Sequence, residues 1–211
     1  MLGGVDQPAV EDTMLERNNE LTTTLPSYET FAALATQRRT SMVVDPDRAV
    51  PAALVNELCQ LATWAPNHKR TWPWRFALFT GDGRSRLGAA MVADMVNADF
   101  GDDSKRAKTA TKYLRTPAVL VVGCAAHDNE MLHAENRDAV AAGIQNLLLG
   151  ATTLGLATFW STPALAQPPT VLELCGFADD DRLVGMIYLG WATQSCAAPE
   201  RPPVEVTEID H

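Results

Sequence analysis

The apolar positions of this chain change period several times, and each change marks an element. Phe31, Leu34 and Ala35 recur at helical spacing behind Pro26-Ser27, which predicts a helix with Ser27 as its N-cap, ending near Gln37-Arg38-Arg39-Thr40. A second helix is predicted from Pro51, set at its first position, with Leu54, Val55, Leu58, Leu61 and Ala62 on one face and Pro66 beyond its end. RFALFT at 75–80 reads as a strand closed by Gly81-Asp82-Gly83. Residues 84–98 and 103–115 read as helices, the second highly charged and exposed. Pro117 introduces a strand, AVLVVGCAA, at 118–126, and a long helix follows at 130–154. A short strand is expected from Leu156 to Trp160, then a brief helix from Pro168-Pro169 through Cys175 with Gly176 as its cap. RLVGMIYLGW at 182–191 is the last strand, and a proline-bearing tail (Pro199, Pro202, Pro203) runs extended. This order predicts an α+β fold, a mixed sheet with helices packed on it. Residues 1–26 are aperiodic and acidic and read as a flexible extension, leaving 27–211 as one domain.

Residues 139–172 carry no charge at all. A membrane-spanning helix needs ~20 apolar residues. Gln145, Asn146, Thr152, Thr153 and Gly155 interrupt this run, and basic clusters do not flank it. The segment therefore reads as a buried helix that turns into a strand, covered all round by its own core or by a second subunit.

Hydrophobic residues make up 46% of the 211, which excludes wholesale disorder. The net charge of −9 argues against a nucleic-acid binder, which needs a basic face to displace counterions. That charge sits at the ends: residues 1–30 hold six acids against Arg17, and residues 199–211 hold four against Arg201, so the body between is near neutral. Cys59, Cys124, Cys175 and Cys196 form no C-x-x-C motif, and no signal peptide is visible, so reduced thiols in the cytoplasm are expected.

Three segments could carry chemistry. Arg38-Arg39-Thr40 at a helix end offers two planar guanidiniums and a hydroxyl, a set that suits a phosphate; arginines at a helix C-terminus also complement its dipole. The 64–75 loop combines Trp64, Trp72 and Trp74 with His68, Lys69, Arg70 and Arg75, flat apolar surfaces beside donors, as a planar anionic ligand requires; packing around a proline-rich turn gives the same composition. Phe159-Trp160-Ser161-Thr162-Pro163 lies at a strand end, a common place for ligands. The glycine-rich phosphate loops and the nucleophile elbow are absent, His127 and His133 are off helical register for a metal, and Asp179-Asp180-Asp181 reads as a solvated turn.

In this order, the segments resemble the nitroreductase family of flavoproteins. Arg38-Arg39-Thr40 resembles the family's R-x-[ST] near the end of the first helix. Ala65-Pro66-Asn67-His68-Lys69-Arg70-Thr71-Trp72-Pro73-Trp74-Arg75-Phe76 resembles its APS/D…QPW.F segment, in a variant similar to the small, minimal branch. DAVAAGIQNLLLGATTLG from Asp138 resembles its core helix, 155–160 the following strand, and 183–191 the last strand, with Arg201 where the family often has a C-terminal arginine.

The resemblance implies a three-layer α/β/α sandwich with a mixed, mainly antiparallel sheet, in a homodimer that swaps terminal segments and holds FMN at its interface. It implies that Arg38, Thr40 and Arg201 bind the FMN phosphate with Arg39 in the same cluster, that Trp64 and His68 approach the flavin from the partner chain, and that Trp160, Ser161 and Thr162 line the isoalloxazine. NAD(P)H would donate hydride to FMN and depart, and a nitroaromatic or quinone acceptor would then take its place. The chemistry belongs to the flavin, so no protein residue is expected to be catalytic. Ene reduction, dehalogenation, flavin fragmentation and flavin storage on the same scaffold remain open at this level. Trp72 stands where the family usually has Gln, Pro163 where many members have Gly, and Thr40 where Ser is usual.

Overall fold

The computed structural model describes residues 25–210; the expected extension at 1–26 lies almost wholly outside them. The chain divides into two units, one ending at Gln37 and one beginning at Arg38. In the first, α1 spans Tyr28–Gln37, and the Ser27 hydroxyl accepts from the Thr30 amide as the sequence predicts.

The second unit holds α2 (Ala52–Ala62), β1 (Trp74–Thr80), α3 (Gly83–Asn97), α4 (Asp103–Lys112), β2 (Ala118–Cys124), α5 (Glu130–Thr153), β3 (Leu156–Ser161), α6 (Pro169–Cys175) and β4 (Arg182–Trp191). Pro51 sits one place earlier than expected, as the N-cap of α2 rather than its first helical residue. Residues 113–115, expected to continue α4, tighten instead into a 3₁₀ turn that buries Tyr113. Gly176 ends α6 in the left-handed conformation at φ 70°, the role its position after an apolar run predicts.

The strands form one sheet in the order β1-β2-β4-β3, with every neighbouring pair antiparallel. Alternate residues point to opposite faces, so each face builds its own core. On one face Leu120, Val122, Ile187 and Leu189 pack with α2 and with Val140, Ile144, Leu147 and Ala151 of α5. On the other, Val119, Val121, Met186 and Tyr188 pack with Leu87, Met91 and Met95 of α3 and with Val171 and Leu172 of α6. Helices thus cover both faces of the sheet, the layering expected. The second unit buries one face of α5, and Ala142 and Gln145 on the opposite side are exposed, so of the two covers expected the chain's own core supplies only part.

Residues 40–45 run beside the β3–β4 edge. Thr40 forms a parallel bridge with Thr158, the Ser41 amide donates to the Thr158 carbonyl, and Val44 bridges Ala192. Further along, Arg48 lies over the Trp191 ring, 3.8 Å from its centroid.

Two acidic residues depart from their expected or overlooked roles. Asp181 is buried at 2% exposure and is no solvated turn residue: its carboxylate accepts from the Ala126 and Ala178 amides and pairs with Arg75 Nε at 3.5 Å. Asp94, in the last turn of α3, is also buried and caps a different helix, α6, through the Thr170 and Val171 amides.

Candidate functional site

The Thr40–Thr158 bridge places Arg38-Arg39-Thr40 against β3, the strand that runs on to Trp160-Ser161-Thr162. The first and third segments singled out in the sequence therefore meet along one strand. The three cationic and hydroxyl groups of Arg38-Arg39-Thr40 are used differently. Arg39 Nη1 donates to the Arg38 carbonyl and its Nε donates to the Ala197 carbonyl, so this side chain holds the C-terminal tail. Arg38 is half-buried and its side chain makes no hydrogen bond or ion pair with another described residue, and Thr40 is exposed. A half-buried guanidinium without a partner, next to a free hydroxyl, is suited to an anion with several acceptor oxygens. Arg201 follows shortly after the point where Arg39 fixes the tail, and is exposed.

Trp160 Nε1 donates to the Val184 carbonyl at 3.4 Å, laying the indole across β4. A Cβ on Gly185 would come within 2.5 Å of that nitrogen, so the ring needs a glycine beneath it. Trp160 is left 37% exposed. The Ser161 hydroxyl donates to the Thr162 carbonyl, and Thr162 lines a cavity shared with α5 and β4.

The 64–75 loop lies elsewhere. It leads into β1, the opposite edge of the sheet from β3, about 14 Å away across three strand spacings. Trp64 is 83% exposed. His68 opens a 3₁₀ turn that runs to Arg70, where a plain loop was expected, and its Nδ1 lies 2.6 Å from Glu135 Oε2 on α5. Lys69, Arg70 and Trp72 all adopt positive φ, at 58°, 53° and 51°. Left-handed backbone at three such bulky residues persists only where the surroundings impose it. Asn67 does so locally, donating to the Thr71 hydroxyl and accepting from the Trp72 amide, and Thr71 donates in turn to Asn136 of α5. In one chain, then, Trp64 and His68 do not join Arg38, Thr40 and Trp160.

The sequence reading overlooked the anchors Asn67, Glu135 and Asn136, and the cationic pair Arg137 and Arg182. Asn136 did carry a signal, a polar residue one position from the apolar stripe of a long helix. Among the described residues, no group of three or more His, Cys, Asp or Glu is placed to hold a metal. The His127 amide instead donates to His133 Nδ1.

The model of the Nitroreductase family matches residues 35–191, and the chain belongs to that family. YdjA of Escherichia coli (strain K12), provisionally named an NAD(P)H nitroreductase, is 26% identical over 175 residues, 81% of this chain and 94% of YdjA. YfhC of Bacillus subtilis (strain 168), named in the same provisional way, is 28% identical over 162 residues, 74% of this chain and 81% of its own. The crystal structure of a nitroreductase-like family protein from Bacillus cereus superposes with a TM-score of 0.73 at 30% identity, covering 88% of this chain and all (100%) of that one. A nitroreductase from Bacteroides fragilis, crystallised with bound FMN, shares the fold at a TM-score of 0.65 and 19% identity, covering 84% of this chain and 98% of that one.

Proposed function

We propose that the protein is an FMN-dependent NAD(P)H oxidoreductase that reduces electron-poor aromatic acceptors, nitroaromatics or quinones, one substrate after the other at a single site. The observation that carries this reading is the Arg38–Thr40 segment fixed along β3 by the Thr40–Thr158 bridge, with the Arg38 guanidinium making no bond to another described residue. Family membership and the names of YdjA and YfhC support the nicotinamide donor; the FMN-bound Bacteroides fragilis structure supports the cofactor.

The residues present fit FMN. Arg38 and Thr40 would hold its phosphate, with Arg201 adding a second positive charge. Arg39 acts through the backbone, fixing the tail from which Arg201 extends. Trp160, Ser161 and Thr162 would line the ring system further along β3, and the Trp160–Val184 hydrogen bond fixes that wall. FMN, when bound, supplies the hydride acceptor and donor of the reaction. The chain itself binds, orients and excludes water.

Trp64 and His68 stand apart from this half-site, and the exposed side of α5 has no cover. A second copy of the chain accounts for both, as a homodimer whose partner contributes its Trp64 and His68 to the flavin pocket. No helix among the described residues is long and apolar enough to cross a membrane, and a cytoplasmic location is proposed with this reading.

The visible spectrum of the purified protein tests the proposal. A flavin band should be present, or appear on FMN addition, and should bleach on anaerobic mixing with NADH or NADPH. Arg38→Ala should weaken FMN at least tenfold while leaving riboflavin affinity nearly unchanged. A protein that stays colourless after FMN addition overturns the reading.

A further inference from the structure

A cavity of about 410 Å³ opens between the N-terminal half of α5 and the loop after β3. That volume lies within the ~300–1,000 Å³ of small-molecule sites. Ala134, Pro163, Ala166, Leu183 and Val184 give it an apolar wall. Arg137 from α5 and Arg182 from the start of β4 both line it, and neither side chain makes a hydrogen bond or ion pair with another described residue. Cys124 lines it too; burial and the Asp181 charge push its thiol up to about 11, opposed by Arg75, Arg137 and Arg182. Arg137 and Arg182 thus line one and the same cavity. His133 also lines the cavity, and its Nδ1 accepts from the His127 amide, so the neutral ring carries its proton on Nε2, a further donor. Glu130 is the opposing charge on the wall, and two arginines outweigh it. Arg75 neutralises the nearby Asp181.

We propose that this cavity is a subsite for a small planar carboxylate, gripped by Arg137 and Arg182 and seated on the apolar wall. A guanidinium fork matches a carboxylate in geometry and charge, and the flat wall suits a ring. The cavity shares Thr162 with the half-site above, and Val184 in its wall is the residue whose carbonyl receives Trp160 Nε1. Resting on the proposed reductase activity, the subsite selects acceptors that carry a carboxylate opposite their reducible group.

Two measurements test it. Calorimetry should show benzoate binding to the FMN-loaded protein, with affinity falling at least tenfold in Arg137→Gln/Arg182→Gln and unchanged in Lys108→Gln, an exposed lysine on α4. In turnover, the double variant should lower kcat/KM for 4-nitrobenzoate relative to 4-nitrobenzamide at least tenfold, with circular dichroism confirming the fold. Absence of benzoate binding, or equal binding in the double variant, overturns the subsite. Benzoate binding through the arginines in a protein that reduces no nitroaromatic overturns the proposed activity and leaves the subsite standing.

Discussion

The Thr71 hydroxyl donates to the Oδ1 of Asn136, tying the strained 67–72 loop to the central helix. Asn136 is 2% exposed and its Nδ2 also donates to the Ala125 carbonyl, so one side chain joins loop, helix and the end of β2. Each left-handed residue in the loop costs of order 1–3 kcal/mol. Removing the anchor lets the loop relax toward ordinary backbone. Asn136→Ala is expected to lower stability by about 2 kcal/mol, the cost of leaving buried polar partners unsatisfied. Limited trypsin digestion reads the loop directly, because Lys69 and Arg70 are its cleavage points. Cleavage there should be slow in the parent protein and markedly faster in the variant; equal rates would show that the loop keeps its shape without α5.

Asp94 caps α6 from another helix. Pro168 precedes α6 and offers no side-chain cap, and the Asp94 carboxylate takes the Thr170 and Val171 amides at 3.0 Å each. Asp94→Ala removes two charge-assisted bonds at a buried site, an expected loss of about 3 kcal/mol. Urea denaturation should show a lower midpoint at unchanged slope. Asp94→Asn, with one acceptor oxygen left, should recover part of the loss.

Gly185→Ala tests the wall beside β3. The added Cβ would come within 2.5 Å of Trp160 Nε1 and force the indole off the Val184 carbonyl. Overpacking of this kind costs ~1–3 kcal/mol. If Trp160 borders the flavin, FMN titration followed by flavin fluorescence should show at least a tenfold loss of affinity. Unchanged affinity with a displaced Trp160 would remove that residue from the cofactor site.

The thiols give a pH prediction. Burial pushes Cys59 and Cys175 up to about 12, and burial with the Asp181 charge pushes Cys124 up to about 11, from an ordinary 9.0. Tyr188 rises to about 12 from 10.0, and Tyr113, with its burial and its Tyr188 neighbour, rises further. The folded chain thus holds these protons more tightly than the unfolded one. Their contribution to stability is complete below about pH 9 and is lost as pH rises toward 11–12. Stability measured by urea titration should fall steeply across that window. At pH 8 a disulfide reagent should label the exposed Cys196 quickly and the other three only as the protein opens.

What was legible in the sequence was what neighbours decide. Ser27 and Gly176 each act within a few residues, and each did what its local pattern implied. Asp181 was misread because a run of three aspartates resembles a solvated turn; the amides that bury it include Ala126, far away in sequence. Asp94 was overlooked for the same reason, since its partners lie on another helix. The turn at His68–Arg70 has no local propensity behind it, because side chains of Asn67 and Asn136 hold Lys69, Arg70 and Trp72 where they would not go alone. For the site, residue types identified Arg38 and Thr40 as a phosphate candidate, and only the resemblance linked them to Trp160; the link in the structure is the Thr40–Thr158 bridge. That Arg137 and Arg182 line one cavity has no counterpart in local sequence at all.

The pairing of residues 40–45 with the β3–β4 edge has a consequence for handling the protein. An outer strand with free amides and carbonyls is a template on which other chains add. Here the strip that begins at Thr40 occupies part of that template on β3, with Ser41 on Thr158. Substitutions that loosen this strip uncover the sheet for intermolecular growth, so turbidity on storage will report damage to it sooner than any loss of helix.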